Sequence, residues 1–333
     1  MAATRRTFLE TLGGAAALGI VGGSISESAK AMGRSSSSPA PSDKVMFWVA
    51  ALTPCDKNLR FDESIYADMM AYFKQTGVDG VVVLGTTGEY PSFSVAERKK
   101  VAEVAFKHRN GLNLIVSSGT SNFPETIELS QHAAANGADG LLVIPPFYFK
   151  HPPQQGLITY FSLLFEKVTI PINLYHIPSL SGVPISLELL HALEKYPNVA
   201  GIKDSEDDVV EYGRFVKDFP KLNMRTGTVT NLKPALENGM GAILMEGNLF
   251  TKQIADVFAA QRGGKNLDEP LAKLDAAIKL LAPAGGYDFG TMKYALGLQM
   301  GARQTYARPP HVDPTDEQKA KMKEALEQMK QLS

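Results

Sequence analysis

From Val45 onward the chain alternates short apolar runs with longer stretches whose apolar residues recur at helical spacing. The run at 45–52 predicts a strand ending at Thr53-Pro54, and 64–75 predicts a helix stopped by Gly77. Further strands are expected at 80–84, 113–117, 140–144, 171–175, 199–203, 222–226 and 242–245. Helices are expected between them at 94–108, 123–136, 154–166, 187–195, 209–218 and 232–238. Ser94 stands where an N-cap belongs, and Glu97 completes a capping box. The strands are nearly continuous apolar runs, as in a parallel sheet covered by helices. Eight strand–helix alternations over roughly 200–250 residues specify an α/β fold, a (β/α)8 TIM barrel. A doubly wound open sheet would want a glycine-rich phosphate loop after its first strand, and Thr53-Pro54-Cys55 offers none. The barrel is expected to occupy 44–250, with a C-terminal helical appendage over 251–333.

The N-terminal stretch reads differently. Arg5-Arg6 precede an apolar run at 12–21, and Ala29-Lys30-Ala31 follows as a small-residue cleavage site. This is the layout of a secretory signal, and the arginine pair points to the twin-arginine route. The signal is expected to span 1–33, and its apolar run is too short to cross a bilayer. Residues 34–43, rich in serine with Pro39 and Pro41, read as a flexible tether. The mature protein is therefore expected outside the cytoplasm, in the periplasm or beyond, exported already folded.

Composition removes several classes. The chain has 333 residues, 44% hydrophobic and 21% charged, with formal net charge -1. That suits one large domain with a small appendage, and no basic cluster interleaved with aromatics favours nucleic acid. Cys55 is the only cysteine, which excludes an intrachain disulfide and a cysteine-rich metal site. The 6 histidines are scattered, with no pair at metal-ligand spacing on a helix. No metal and no cofactor is expected.

Barrel active sites lie at the C-terminal strand ends, where Thr53, Thr86, Thr87, Tyr175, Lys203 and Gly227 would meet. Lys203 ends the apolar stretch Val199-Ala200-Gly201-Ile202, with Asp204-Ser205-Glu206-Asp207-Asp208 following. A lysine becomes a nucleophile when burial or a neighbouring cation populates its neutral amine. Such an amine attacks a keto carbonyl and loses water. The resulting iminium acidifies the adjacent carbon and gives an enamine, the carbon nucleophile of a class I aldolase. Gly85 and Gly88 frame Thr86 and Thr87, so amides and hydroxyls can bind a carboxylate; the alternative is a turn that caps its own backbone. Tyr175 either shuttles a proton or fills the core. Asp204 is read as the cap of the following helix. Glu89 is either an orienter of the site or a surface residue. Pro145-Pro146-Phe147-Tyr148 exposes aromatics of the kind found at oligomer contacts.

Taken together, Gly85-Thr86-Thr87-Gly88-Glu89, the segment from Tyr175 to Gly182 and Gly201-Ile202-Lys203-Asp204 resemble the dihydrodipicolinate synthase/N-acetylneuraminate lyase superfamily in order and spacing. The resemblance runs from Val45 to the C-terminal helices. It implies that Lys203 forms a Schiff base with pyruvate or another 2-keto acid, whose carboxylate Thr86 and Thr87 hold. Tyr175 would be the proton-transferring phenol. Tyr148 would be its relay partner, reaching in from a neighbouring subunit; 146–152 is one residue longer than usual in the family, so Phe149 is the other occupant. Gly227 and Ile243 match backbone positions near the keto acid, and Thr53, Gly88 and Ser181 are expected to complete the substrate surface. The family habit implies a homo-oligomer, a dimer of dimers.

Departures narrow the reaction. Leu180 stands where the synthase branch carries an arginine for the second substrate's carboxylate. Leu180-Ser181-Gly182 and the run at 125–132 look more like lyases and 2-keto-3-deoxy sugar acid aldolases. His176 stands where asparagine is usual. The expected activity is reversible cleavage of a 2-keto-3-deoxy sugar acid to pyruvate and an aldehyde, with Ser205 and Asp207 facing the sugar chain. The alternatives are N-acetylneuraminate lyase or 4-hydroxy-tetrahydrodipicolinate synthase activity, or a keto-acid binding protein without turnover.

Overall fold

Eight parallel strands hydrogen-bond in chain order and close on themselves, β1 pairing with both β2 and β8, in a computed structural model that describes residues 44–331. The signal expected at 1–33 and the tether expected at 34–43 lie outside the described residues. The strands are β1 (Phe47–Ala50), β2 (Gly80–Val83), β3 (Asn113–Ser117), β4 (Gly140–Val143), β5 (Ile172–His176), β6 (Val199–Asp204), β7 (Asn223–Thr226) and β8 (Ala242–Leu244). The helices between them are α1 (Glu63–Gln75), α2 (Val95–Lys107), α3 (Phe123–Ala135), α4 (Gln154–Lys167), the single turn α5 (Pro178–Ser181), α6 (Leu187–Leu193), α7 (Val209–Asp218) and α8 (Leu232–Glu237). Local chemistry starts them where the sequence indicates. The Ser94–Glu97 capping box is complete, and the Asp62 side chain accepts from the backbones of Ser64 and Ile65 to open α1.

Register decides which side chains enter the barrel, because residues paired across parallel strands share a face. Ile172 pairs with Val199 but Asn173 pairs with Gly201, so β6 carries one extra residue, Ala200. Gly201 holds φ +150°, and a Cβ there would lie 2.0 Å from the Asn223 carbonyl oxygen. Only glycine fits this bulge. Beyond it, Tyr175, Lys203 and Arg225 fall into one row across β5, β6 and β7.

The sequence boundary at 250 cuts through the barrel. Helix α9 (Thr251–Arg262) is its eighth helix: Phe258 stacks on Phe47 of β1 at 5.5 Å between centroids, and Arg262 pairs with Asp79. The appendage proper is α10 (Asp268–Leu281), α11 (Phe289–Met300) and α12 (Asp316–Lys330). Periodicity alone identifies an amphipathic helix without saying what it packs on.

The segment between α11 and α12 returns to the barrel mouth, where Tyr306 donates its backbone N–H to Cys55 O at 3.0 Å. Glu89, left open as orienter or surface residue, is buried. It forms an ion pair with the equally buried Lys293 of α11 and accepts from the Arg308 backbone at 2.9 Å. Lys293 also donates to Tyr306 O at 2.9 Å, and the Arg308 guanidinium reaches Glu97 at 2.7 Å and Ser92 O at 2.6 Å. The appendage is thereby fastened to the loop after β2.

Replacing Lys293 by methionine leaves Glu89 buried without its cation, and is expected to lower unfolding stability by about 3–5 kcal/mol. Denaturant titration reads the change. The double variant with Glu89→Gln is expected to recover part of the loss; equal midpoints for wild type and Lys293→Met would show that the pair does not hold the appendage.

Candidate active site

At the mouth of the barrel a lysine, a phenol and a threonine hydroxyl form a chain. Lys203, only 5% exposed at the end of β6, lies with Nζ 3.4 Å from Tyr175 Oη. Tyr175, buried on β5, lies 3.3 Å from Thr86 Oγ1 in the loop after β2. Nζ also sits 4.5 Å from the Tyr175 ring centroid, so the tyrosine meets the lysine through both its hydroxyl and its ring face. Three different strands deliver this chain, and the bulge at Gly201 is what turns Lys203 inward to meet it.

The other expected residues divide. Thr87 is buried beside Thr86, and the loop closes its own backbone through Gly88 N–H to Gly85 O at 3.0 Å and Glu89 N–H to Thr86 O at 2.9 Å. The self-capped turn and the site are therefore one feature, with the Thr86 side chain left free to face Tyr175. Thr53 is fully buried, and its hydroxyl has no hydrogen-bond partner among the described residues. A Cβ on Gly227 would lie 3.0 Å from Lys203 Cε and 2.1 Å from Ser205 Oγ, so glycine makes room for the lysine. Ile243 is buried in register with Trp48 and shares its face.

Ser181 and Tyr148 stand apart from the chain. The Ser181 hydroxyl donates to Val183 O at 3.0 Å and accepts from Val183 N–H at 3.1 Å, so it fixes the turn after α5. Leu180 beside it is 60% exposed. Tyr148 is 77% exposed, its ring edge-on to that of the equally outlying Phe149. Ser121 Oγ accepts from the backbones of Phe147 and Tyr148 at 3.2 and 3.0 Å and holds this loop outward.

One expectation is corrected. Asp204 does not cap α7. Asp208 does, accepting from Val210 and Glu211 N–H at 2.8 and 2.9 Å. Asp204 is instead the last, fully buried residue of β6, where its Oδ1 accepts from Glu206 N–H at 3.0 Å. Burial, reinforced by the acids around it, pushes its carboxyl up to about 7. His176 takes a structural part: its Nδ1 accepts from Ile185 N–H at 3.0 Å, and burial pulls its pKa down to about 4, so the ring is neutral at neutral pH.

Two residues of the interior were not anticipated. Arg225, beside Lys203 on β7, donates to Asn173 and lies over Trp48 at 5.6 Å; burial lowers its pKa to about 10, which leaves it charged. Glu246, just past β8, is buried at the mouth, and burial raises its pKa to about 7. Neither lies in a motif: Arg225 meets Lys203 through the pairing of β6 with β7, and Glu246 through the turn after β8. A cleft of 450 Å³ lined by Tyr72, Leu249, Leu298 and Leu326 lies among α1, α9, α11 and α12 and holds none of these residues.

Comparison with known proteins identifies the family. The model of the dihydrodipicolinate synthetase family matches residues 44–329. An uncharacterized DapA-like lyase of Chloroflexus aurantiacus is 33% identical over 265 residues, 78% of this chain and 88% of its own. A 4-hydroxy-tetrahydrodipicolinate synthase of Bartonella bacilliformis is 31% identical over 281 residues, 80% of this chain and 93% of its own. Among solved structures, the prophage protein YagE of E. coli K12, in complex with pyruvate, superposes with a TM-score of 0.77 at 27% identity, covering 86% of this chain and 98% of its own. The chain belongs to the dihydrodipicolinate synthetase family, and with it to the class I, Schiff-base-forming carbon–carbon lyases.

Proposed function

We propose that Lys203 forms an iminium with pyruvate and that the enzyme reversibly cleaves a 2-keto-3-deoxy sugar acid to pyruvate and an aldehyde. The observation that carries the reading is the buried Lys203–Tyr175–Thr86 chain at the barrel mouth. The amine attacks C2 of the keto acid, and water leaves as Tyr175 moves protons between nitrogen and oxygen. Thr86 and Thr87 hold the carboxylate. Removal of the C4 hydroxyl proton then breaks the C3–C4 bond, and its electron pair becomes the enamine with the iminium nitrogen as sink. Protonation at C3 and hydrolysis release pyruvate. YagE, solved with pyruvate, supports the choice of keto acid.

The acceptor half rests on the lip of the barrel. Leu180 offers no cation and Lys150, the nearby one, directs its Nζ to Ser181 O at 2.7 Å, while Glu206 and Asp207 follow β6. An aldehyde carrying a carboxylate would meet repulsion there, whereas sugar hydroxyls can donate to those carboxylates. This favours a neutral polyhydroxy aldehyde over the acidic second substrate of a synthase. The exposed Tyr148 supports a relay completed between subunits of a dimer, within a dimer of dimers. Arg5-Arg6, the apolar run after them and Ala29-Lys30-Ala31 support export by the twin-arginine route.

Borohydride reduction with pyruvate, followed by peptide mass mapping, is expected to leave a pyruvate adduct on Lys203 and none on a Lys203→Ala variant. Bound pyruvate without an adduct would remove the covalent mechanism and leave a keto-acid binding protein. Tyr175→Phe is expected to keep binding pyruvate while slowing adduct formation by roughly 10²–10⁴-fold, the worth of a positioned proton donor; an unchanged rate would assign the phenol to packing. In a pyruvate-release assay, 2-keto-3-deoxy sugar acids are expected to turn over faster than N-acetylneuraminate, and the reverse order would favour the lyase alternative. For export, Arg5→Lys with Arg6→Lys is expected to leave an uncleaved chain in the cytoplasm, and a cleaved periplasmic product from that variant would refute the route.

A further inference from the structure

Lys203 is flanked on two sides, and the roles assigned so far use only one. Toward β5 stands Tyr175, engaged with both Lys203 and Thr86. Toward β8 the chain leaves Leu244 and makes a single 3-10 turn, Glu246–Asn248. Asn248 fastens that turn to β1: its amide donates to Ala50 O and Met245 O, each at 2.8 Å, and its Oδ1 accepts from Leu52 N–H at 3.1 Å. On the intervening β7 the Arg225 side chain turns away to Asn173 and Trp48, and Gly227 at the strand's end leaves the space against Lys203 Cε open.

The turn so held keeps the Glu246 carboxylate at the mouth, 6% exposed, with Oε2 lacking a hydrogen-bond partner among the described residues. The Tyr287 hydroxyl, from the loop before α11, is buried and lacks one too. The ionisable groups facing Glu246 are Lys203 of β6, Asp207 of the following loop and Tyr287. A buried carboxylate oxygen without a partner is costly and needs an explanation. Burial raises the Glu246 pKa to about 7, partly offset by its own backbone N–H and by the Lys203 charge. Such a carboxyl accepts and returns a proton near neutrality with little driving force lost in either direction.

We propose that Glu246 is the base that removes the C3 proton from the keto-acid iminium on Lys203. The carboxylate takes the proton from C3, and the C–H electron pair becomes the C2=C3 bond. The C=N π pair moves to nitrogen as its lone pair, giving the enamine and a neutral Glu246. Run backward, the same step returns the proton to C3 before hydrolysis frees pyruvate. This assignment rests on the iminium reading and gives the site two proton handlers, Tyr175 at the nitrogen and oxygens and Glu246 at carbon.

The test needs only pyruvate and the full chain. Exchange of the pyruvate methyl protons in D2O, followed by NMR across pH 5–9, reports enamine formation, and borohydride trapping reports the iminium. Wild type is expected to exchange faster as pH rises, with a midpoint near 7 as the ionised base accumulates. Glu246→Gln is expected to lose about 10²-fold or more of the exchange, together with that midpoint, while still trapping pyruvate on Lys203. Glu246→Asp, with the carboxylate set back by one methylene, is expected to keep the pH dependence at a reduced rate. Wild-type exchange without a rising limb near 7, or a glutamine variant that exchanges at the wild-type rate, overturns the proposal. So does an aspartate variant that traps pyruvate but exchanges independently of pH. Failure of wild type itself to trap pyruvate would instead bring down the iminium reading on which the proposal stands.

Discussion

One extra residue in β6 decides which way Lys203 faces. Side chains alternate between the two faces of a strand, so a one-residue slip sends every later residue to the opposite face. Without the bulge between Ile172 and Asn173, Tyr175 would pair with Ile202, and Lys203 would point toward the surrounding helices. The bulge exists because Gly201 tolerates its positive φ and the close approach of the Asn223 carbonyl. The lysine's chemistry thus depends on a glycine two residues before it, and the Lys203–Tyr175–Thr86 chain depends on both.

A second constraint holds the other side of the site. The loop that carries Thr86 and Thr87 continues directly into Glu89, which adopts φ 54°, a region side chains other than glycine visit rarely. That conformation aims the carboxylate into the protein, where Lys293 and the Arg308 backbone satisfy it. The C-terminal appendage is therefore more than an added layer: its charge completes a residue of the loop that positions Thr86. Burying this ion pair adds little net stability by itself, but removing one member leaves an uncompensated charge. The pair makes the loop and the appendage fold together.

The architecture was legible because its signal is local. Apolar runs at 80–84, 113–117 and 140–144 appear as strands within a residue of the expected limits, and the Ser94–Glu97 box starts its helix as read. What failed was always a matter of partner. Asp204 was read as the cap, but β6 runs on to include it, so the cap falls to Asp208. Glu89 was left open because its cation lies on α11, far along the chain. Helix α9 was assigned to the appendage because an amphipathic pattern does not reveal that Phe258 covers Phe47. Lys203, Tyr175 and Thr86 were legible through motif spacing, whereas Arg225 and Glu246 sit in segments that carry no motif. Arg225 reaches Lys203 through the β6–β7 pairing and Glu246 through the turn that follows β8, and neither is marked in the sequence.

The same closure shapes the electrostatics of the mouth. Below Lys203, Arg225 is charged and bound to Asn173, so the barrel interior holds a fixed positive charge that no substrate needs to supply. Above it, Asp207 and Glu206 bring carboxylates toward the rim, where Lys150, its Nζ donating to Ser181 O at 2.7 Å, is the neighbouring cation. On the proposed reading, an anionic keto acid beside these carboxylates needs specific donors for its own carboxylate, the part given to the Thr86-Thr87 loop. On the same reading the aldehyde half stays at the rim, where hydroxyls donate to the Glu206 and Asp207 carboxylates. Discrimination between the two halves of the substrate then follows from the depth at which each is held.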